Sequence, residues 1–324
     1  MALDQSDGNA RIVIKGPPGI GKTTLAIAVL TDNRVKNAFG SSRIFIRCAE
    51  FQEEDRSVHG LLRNLALKLR LTDGGDLFEK VDSLLKTLRR SIVVLDGLEA
   101  IWGSGDSRAE VEVERFLDLL SDIDEVVLVV TVRGRSIPQT IPWSNRLDDS
   151  LLPLSPADAR KTFLKRTDCK QAHDATEASD LDALLAEVDH HPQAVVLLAR
   201  LGDPPSKLLR EWNDYDKQPA EGRTKGRTET IEAEDHDGTE PELSMCVSIM
   251  LSIKLLDKDN SRPALDLLKI CQDSLDGLTE ERQEELRLQI PRFDRQRRRL
   301  ERPGLVQPGA LTMLSTIRHF NLPQ

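Results

Sequence analysis

Along the first half of the chain, short unbroken apolar runs alternate with longer stretches in which apolar positions recur every three or four residues. The runs fall at 11–15, 43–48, 91–95, 126–131 and 151–154. Continuous rather than alternating apolar character is the mark of strands covered on both faces. Between them, 22–29, 58–69, 76–88 and 108–120 carry the helical period. Strands alternating with amphipathic helices predict an α/β unit over 1–154, a parallel sheet with helices on each side.

After 154 the strand pattern stops. Ser155 is a good N-cap, Pro156 suits the first helical position and Asp158 places an acid in the first turn, so a helix begins there. Helical spacing recurs at 180–189, 193–201 and 205–212, which predicts a small bundle over 155–216. The stretch 217–242 is polar, charged and nearly devoid of apolar residues, and reads as a flexible linker. A last region, 243–324, shows helical patterns at 244–256, 263–275 and 280–288, a basic run at 292–302 and a short terminal helix at 314–320.

The first strand runs directly into Gly16-Pro17-Pro18-Gly19-Ile20-Gly21-Lys22-Thr23-Thr24, a Gly-x-x-x-x-Gly-Lys-Thr pattern that opens a helix. Glycines free the backbone N–H groups to wrap an anion. Lys22 then reaches the β- and γ-phosphates of a nucleotide, Thr23 ligates Mg²⁺, and the helix presents its positive end to the phosphates. An ordinary Gly-Pro loop is the plainer explanation, disfavoured by the strand before and the helix after. A phosphate loop of this kind needs an acid for Mg²⁺ at the end of a neighbouring buried strand. "SIVVLDGLEAIW" supplies Asp96, with Glu99 just beyond as a weaker candidate for positioning the attacking water. "EVVLVVTVRGR" describes another fully buried strand whose far end carries Thr131 and Arg133. If that strand lies between the loop strand and the acid strand, Arg133 can report a third phosphate through a charge-assisted hydrogen bond. Trp102 reads as a packing anchor and Lys15 as a cap on the strand edge.

Composition narrows the classes. A length of 324 residues with 39% hydrophobic content allows two or three cored units. A net charge of −9 argues against a general nucleic-acid surface. Cys48, Cys169, Cys246 and Cys271 are widely spaced, which suggests neither zinc nor a disulfide framework and fits a reducing compartment. With no leader pattern and no apolar run of membrane-spanning length, a cytoplasmic chain without membrane association is expected. The chain has no Asn-Lys-x-Asp for guanine and no Leu-Ser-Gly-Gly signature.

With those residues in place, the chain resembles the STAND class of P-loop NTPases, specifically the NB-ARC-type group and its fungal relatives. "GPPGIGKTTLA" is similar to their phosphate loop, "VVLDGLEAIW" to their acid strand, "VVTVRGR" to their sensor strand and "LPLSPADARKTFLKR" to the passage into the helical bundle. "HHPQAVVLLARL" resembles the Gly-Leu-Pro-Leu element, and the resemblance gives Pro192 the contact with the adenine ring. It implies an ASCE-type sheet, a helical bundle and a partial winged helix. It also implies ATP and ADP as ligands with Mg²⁺, slow hydrolysis, a homo-oligomer in the ATP state and an effector protein of unknown kind, as in signalling switches of innate-immunity type. Two positions depart from the pattern: His190-His191 stand for Gly-Leu, and Met313-Leu314-Ser315 for a terminal Met-His-Asp, with His319 one turn later read as an ordinary surface or core histidine. The effector module and repeats of the class are not visible, so a truncated member or a fragment is expected. Two alternatives stay open. The basic run beside a winged helix would suit a DNA-binding regulator, although Asp294 and Glu301 dilute it. A fast-cycling ATPase is the other.

Overall fold

The computed structural model describes residues 10–51, 55–71, 76–87, 90–102, 107–124, 126–133, 137–144, 150–216, 262–274, 277–301, 305–306, 311 and 313. Four strands, β1 (Arg11–Lys15), β2 (Arg43–Arg47), β3 (Ser91–Asp96) and β4 (Val126–Val132), form one sheet in the order β1-β4-β3-β2. Every pairing is parallel. The strand after the acid strand therefore inserts between it and the loop strand, the ASCE-type order expected of the sequence.

Every residue of β3 and β4 is buried, which is why their sequences are unbroken apolar runs. Period-two alternation splits their side chains between two cores. Val93, Leu95, Val126, Leu128, Val130 and Val132 enter a core with residues of α3 (Val58–Lys68), α4 (Leu77–Thr87) and α5 (Ser107–Asp122). Ile92, Val94, Val127 and Val129 face the opposite core, built with Ala26 and Leu30 of α1 (Lys22–Thr31) and Val35 and Phe39 of α2 (Asn33–Phe39). Each fully buried branched side chain of this kind contributes about 1.5–3 kcal/mol. Trp102 packs on the first core and donates its Nε1–H to Glu114 Oε1 at 3.2 Å, the anchoring role its sequence position suggested.

The strand expected at 151–154 does not form. Its contact with β1 is an isolated parallel bridge, Lys15 to Ser150, with Leu151 N donating to Lys15 O at 2.9 Å. Pro153 two residues on has no N–H to continue a ladder. Lys15 itself, expected to cap a strand edge, is buried. Helix α2 escaped the pattern because only Val35 and Phe39 of its seven residues are buried; Asp32 starts it by accepting from Arg34 N.

Contacts divide the chain into two units, Met1–Pro17 with Gly21–Leu152, and Pro18–Ile20 with Pro153–Gln324. The second is helical among the described residues: α6 (Pro156–Arg166), α7 (Ala178–Glu187), α8 (Pro192–Leu201), α9 (Pro205–Asp216), α10 (Arg262–Asp273), α11 (Glu280–Gln289) and α12 (Phe293–Glu301). Ser155 caps α6 through Asp158 N, as its sequence position implied. Phe163, Leu181, Leu184, Val195 and Leu198 centre one core. Leu267, Leu268, Leu286, Phe293 and Leu300 centre another, which also takes in Val306 and Met313 of an antiparallel bridge. Within the basic run, Phe293–Glu301 folds as α12, with Arg297 paired to Glu301 at 2.7 Å. The linker 217–242 and the helices expected at 244–256 and 314–320 lie outside the described residues. No described helix is long and apolar enough to cross a membrane.

Candidate functional site

The site gathers at the carboxyl edge of the sheet, where open parallel sheets leave a crevice between strand ends. β1 delivers the Gly-rich loop, β3 ends in Asp96 and β4 ends just before Arg133. Gly16, Gly19 and Gly21 take φ of 153°, 76° and 105°. The last two lie where a side chain is strained, and a Cβ at Gly19 would come within 2.3 Å of Gln193 Oε1. Asp32, Ser57 and Ser155 cap α2, α3 and α6 with their side chains, but α1 begins at Gly21, which offers none. The first-turn N–H groups of α1 are thus left for an anion, and next to Gly21 there is open space.

Lys22 is folded under the loop. Its Nζ donates to Gly16 O at 2.7 Å and to Pro17 O at 2.9 Å, and it is 8% exposed. Burial lowers the ammonium pKa from 10.5 to about 8; Glu99 and Asp96 pull it upward and Arg133 pushes it down. Those influences set both candidate acids and the candidate sensor within electrostatic reach of the lysine. Thr23 Oγ1 donates to the Asp96 carboxylate, 2.9 Å from Oδ1 and 3.0 Å from Oδ2. A hydroxyl and a carboxylate side by side, at the foot of a loop of amide donors, fit a small hard cation that takes one or two protein oxygens and completes its shell with phosphates and water. Among the described residues no cluster of three or more His, Cys, Asp or Glu forms a separate metal cage.

Glu99 and Arg133, placed together by the structure, form an ion pair: Arg133 Nε lies 3.0 Å from Glu99 Oε1, and Arg133 N donates to Oε2 at 3.2 Å. Gly97, at φ 72°, turns the chain so that the 3-10 turn Leu98–Ala100 carries Glu99 to this position. Cys48, at the end of β2, is fully buried, and its thiol is pushed up to about 12 by burial and by the negative charges of Asp96 and Glu99, so it stays protonated and unreactive.

Two residues without a role assigned from the sequence have defined partners. Thr131, 1% exposed, donates from Oγ1 to Asp96 Oδ1 at 2.8 Å while accepting from Gly97 N at 2.8 Å. It thereby fixes the acid's orientation and the start of the turn that bears Glu99. A lone hydroxyl in an apolar run was the available signal, since a buried hydroxyl needs partners. His191 is the other. Its ring Nδ1 accepts from Ala194 N at 3.5 Å as the cap of α8, and its Nε2 lies 3.0 Å from Pro18 O, so the neutral tautomer with the proton on Nε2 satisfies both. The preceding His190 adopts φ 54°, the left-handed conformation a glycine takes freely. Pro192 occupies the first turn of α8.

Thr131→Val keeps the shape and removes both hydrogen bonds. It is expected to lower stability by about 1–3 kcal/mol by leaving Gly97 N unpaired. It should also raise the Mg²⁺ concentration needed for nucleotide binding, with Thr131→Ser restoring both. Thermal unfolding and Mg²⁺ titrations check this; an unchanged Mg²⁺ requirement in the valine variant contradicts the positioning role.

A parallel sheet of this strand order, with a Gly-rich loop closing over a lysine and an adjacent strand-end acid, defines a P-loop NTPase fold. Residues 10–168 match the family described as NACHT domain. The finer assignment to the NB-ARC group is not supported by that match. No curated protein matches the sequence. Similar solved structures include PCH-2 of C. elegans, at 15% identity and TM-score 0.43 over 65% of this chain. That alignment spans 63% of the PCH-2 chain, less than two thirds of its length. The FIGL-1 AAA domain in complex with ADP aligns at 15% identity and TM-score 0.38 over 75% of this chain and 72% of its own. A Walker-type ATPase of Pyrococcus abyssi aligns at 14% identity and TM-score 0.41 over 98% of this chain and 95% of its own.

Proposed function

We propose that the chain is an ATP/ADP-binding switch of the STAND type in which slow Mg²⁺-dependent hydrolysis resets a conformational and oligomeric change. The observation that carries this is the loop Gly16–Thr23 wrapped over Lys22 with the Thr23 hydroxyl against Asp96. Bound Mg²⁺ would supply charge neutralisation across the phosphates. Lys22 would hold the β- and γ-phosphates, Thr23 and Asp96 the cation, and Glu99 a water in line with the terminal phosphate. The adenine contact of Pro192, the effector and a cytoplasmic setting belong to this proposal through the resemblance. A ligand moves a conformational equilibrium only by its differential affinity for the two states, so discrimination between ATP and ADP is the property that matters. The test is the nucleotide that copurifies with the chain together with its steady-state turnover. Bound ADP and cycling below about one per second are expected; sustained faster cycling contradicts a switch.

The buried lysine gives this proposal a pH signature. A polyphosphate beside Nζ favours the charged form, so binding above the resting value of about 8 takes up a proton. Affinity is expected to be flat below that pH and to fall by up to about tenfold per unit above it. Titration calorimetry between pH 6.5 and 9.5, in buffers of different ionisation enthalpy, measures both; pH-independent affinity without proton uptake contradicts it. The DNA-binding alternative gains no support: Arg297 of α12 is paired with Glu301, and Arg287 of α11 with Glu284 and Asp294, so part of the basic charge is neutralised within the chain.

A further inference from the structure

We infer that Glu99 sets the preference of this site for a nucleoside triphosphate over a diphosphate, because it holds the arginine that a third phosphate must recruit. This rests on the nucleotide-site reading above. Both oxygens of Glu99 are engaged by one residue: Oε1 by the Arg133 guanidinium at 3.0 Å and Oε2 by the Arg133 main-chain N–H at 3.2 Å. The main-chain contact fixes the carboxylate against the end of β4. The pair is also anchored from the other side, because the turn bearing Glu99 starts at Gly97, whose N–H is held by Thr131. Glu99 and Arg133 are thus held just beyond two adjacent strand ends.

Among the described residues, the charges that act on Lys22 are those of the cation Arg133 and the anions Asp96 and Glu99. Asp96 faces Thr23, and Glu99 faces Arg133. A diphosphate reaching the loop amides and Lys22 leaves the Glu99–Arg133 pair intact. The oxygens of a third phosphate compete with Glu99 for the guanidinium. Binding of the triphosphate then includes the cost of parting the pair, and the parted carboxylate becomes available to a water. With both side chains about one-third exposed, at 34% and 29%, the pair is a modest barrier that the added phosphate contacts can overcome. One exchange therefore couples recognition of the third phosphate to the arming of Glu99.

Removing a negative charge near a phosphate tightens binding whether or not Arg133 is involved, so a single substitution does not decide the matter. The test is a double-mutant cycle on the full chain, with equilibrium affinities for ADP and for the β,γ-methylene analogue of ATP, which excludes hydrolysis from the readout. Glu99→Gln is expected to raise the triphosphate-to-diphosphate affinity ratio about threefold to tenfold, with ADP affinity changed less than twofold. Arg133→Ala is expected to lower the ratio, and in that background Glu99→Gln should leave it unchanged. Thermal unfolding with ADP identifies variants that fold. Wild-type binding with an unaltered ratio in Glu99→Gln overturns the inference alone. So does an equal rise with and without Arg133, which would be charge repulsion only. Failure of the wild type to bind either nucleotide overturns the nucleotide-site reading, and this inference with it.

Discussion

Replacing Lys22 with alanine is expected to abolish nucleotide binding at concentrations that saturate the wild type, a loss of at least about 100-fold. Truncating one partner of a buried, hydrogen-bonded charge pair costs about 2–5 kcal/mol, and a polyphosphate left against the loop without its ammonium meets that penalty. The fold should survive, because burial already disfavours the charged lysine and the loop is shaped by its glycines. The carbonyls of Gly16 and Pro17 lose their donor, a cost of about 1–3 kcal/mol for each acceptor left without a partner. Calorimetry for affinity and thermal unfolding for integrity separate the two effects. Unchanged ATP affinity in a folded Lys22→Ala protein contradicts the assignment of the loop.

The second large effect is expected at Asp96. This carboxylate is 6% exposed and accepts from Thr23 and Thr131, so its two oxygens are held in one orientation. Asp96→Asn keeps the size of the side chain, removes its charge and turns one acceptor into a donor. Metal-free ADP binding through the loop and Lys22 should persist, while the gain in affinity on adding Mg²⁺ should largely disappear. Hydrolysis should fall by about 100-fold or more, since it needs the metal placed between the phosphates and this acid. The same change removes a buried negative charge, so thermal stability is expected to hold or rise. Comparing affinities with Mg²⁺ and with chelator reads the effect. A full Mg²⁺ gain in the asparagine variant contradicts the assignment.

What the sequence disclosed and what it hid follow from range. The loop from Gly16 to Thr23 is contiguous, and each residue type has its own reason to be there, so the cradle was legible in one line. The two innermost strands were legible because burial on both faces makes them unbroken apolar runs. Asp96 and Arg133 were legible as polar residues at the ends of those runs. The pairing of Glu99 with Arg133 was not, since it depends on the register that sets Val93 opposite Leu128 and brings residues 34 positions apart into contact. Thr131 was named but given no task for the same reason: its partners Asp96 and Gly97 lie on the neighbouring strand end. The strand expected at 151–154 failed because an apolar run says nothing of whether its N–H groups can pair, and Pro153 has none.

Titration of the intact chain with ADP and with ATP in the presence of Mg²⁺ is the most direct test. One saturable site per chain for an adenine nucleotide, absent in Lys22→Ala, is the result predicted here. No heat from either nucleotide at millimolar concentration, with the protein demonstrably folded, contradicts the account at its base.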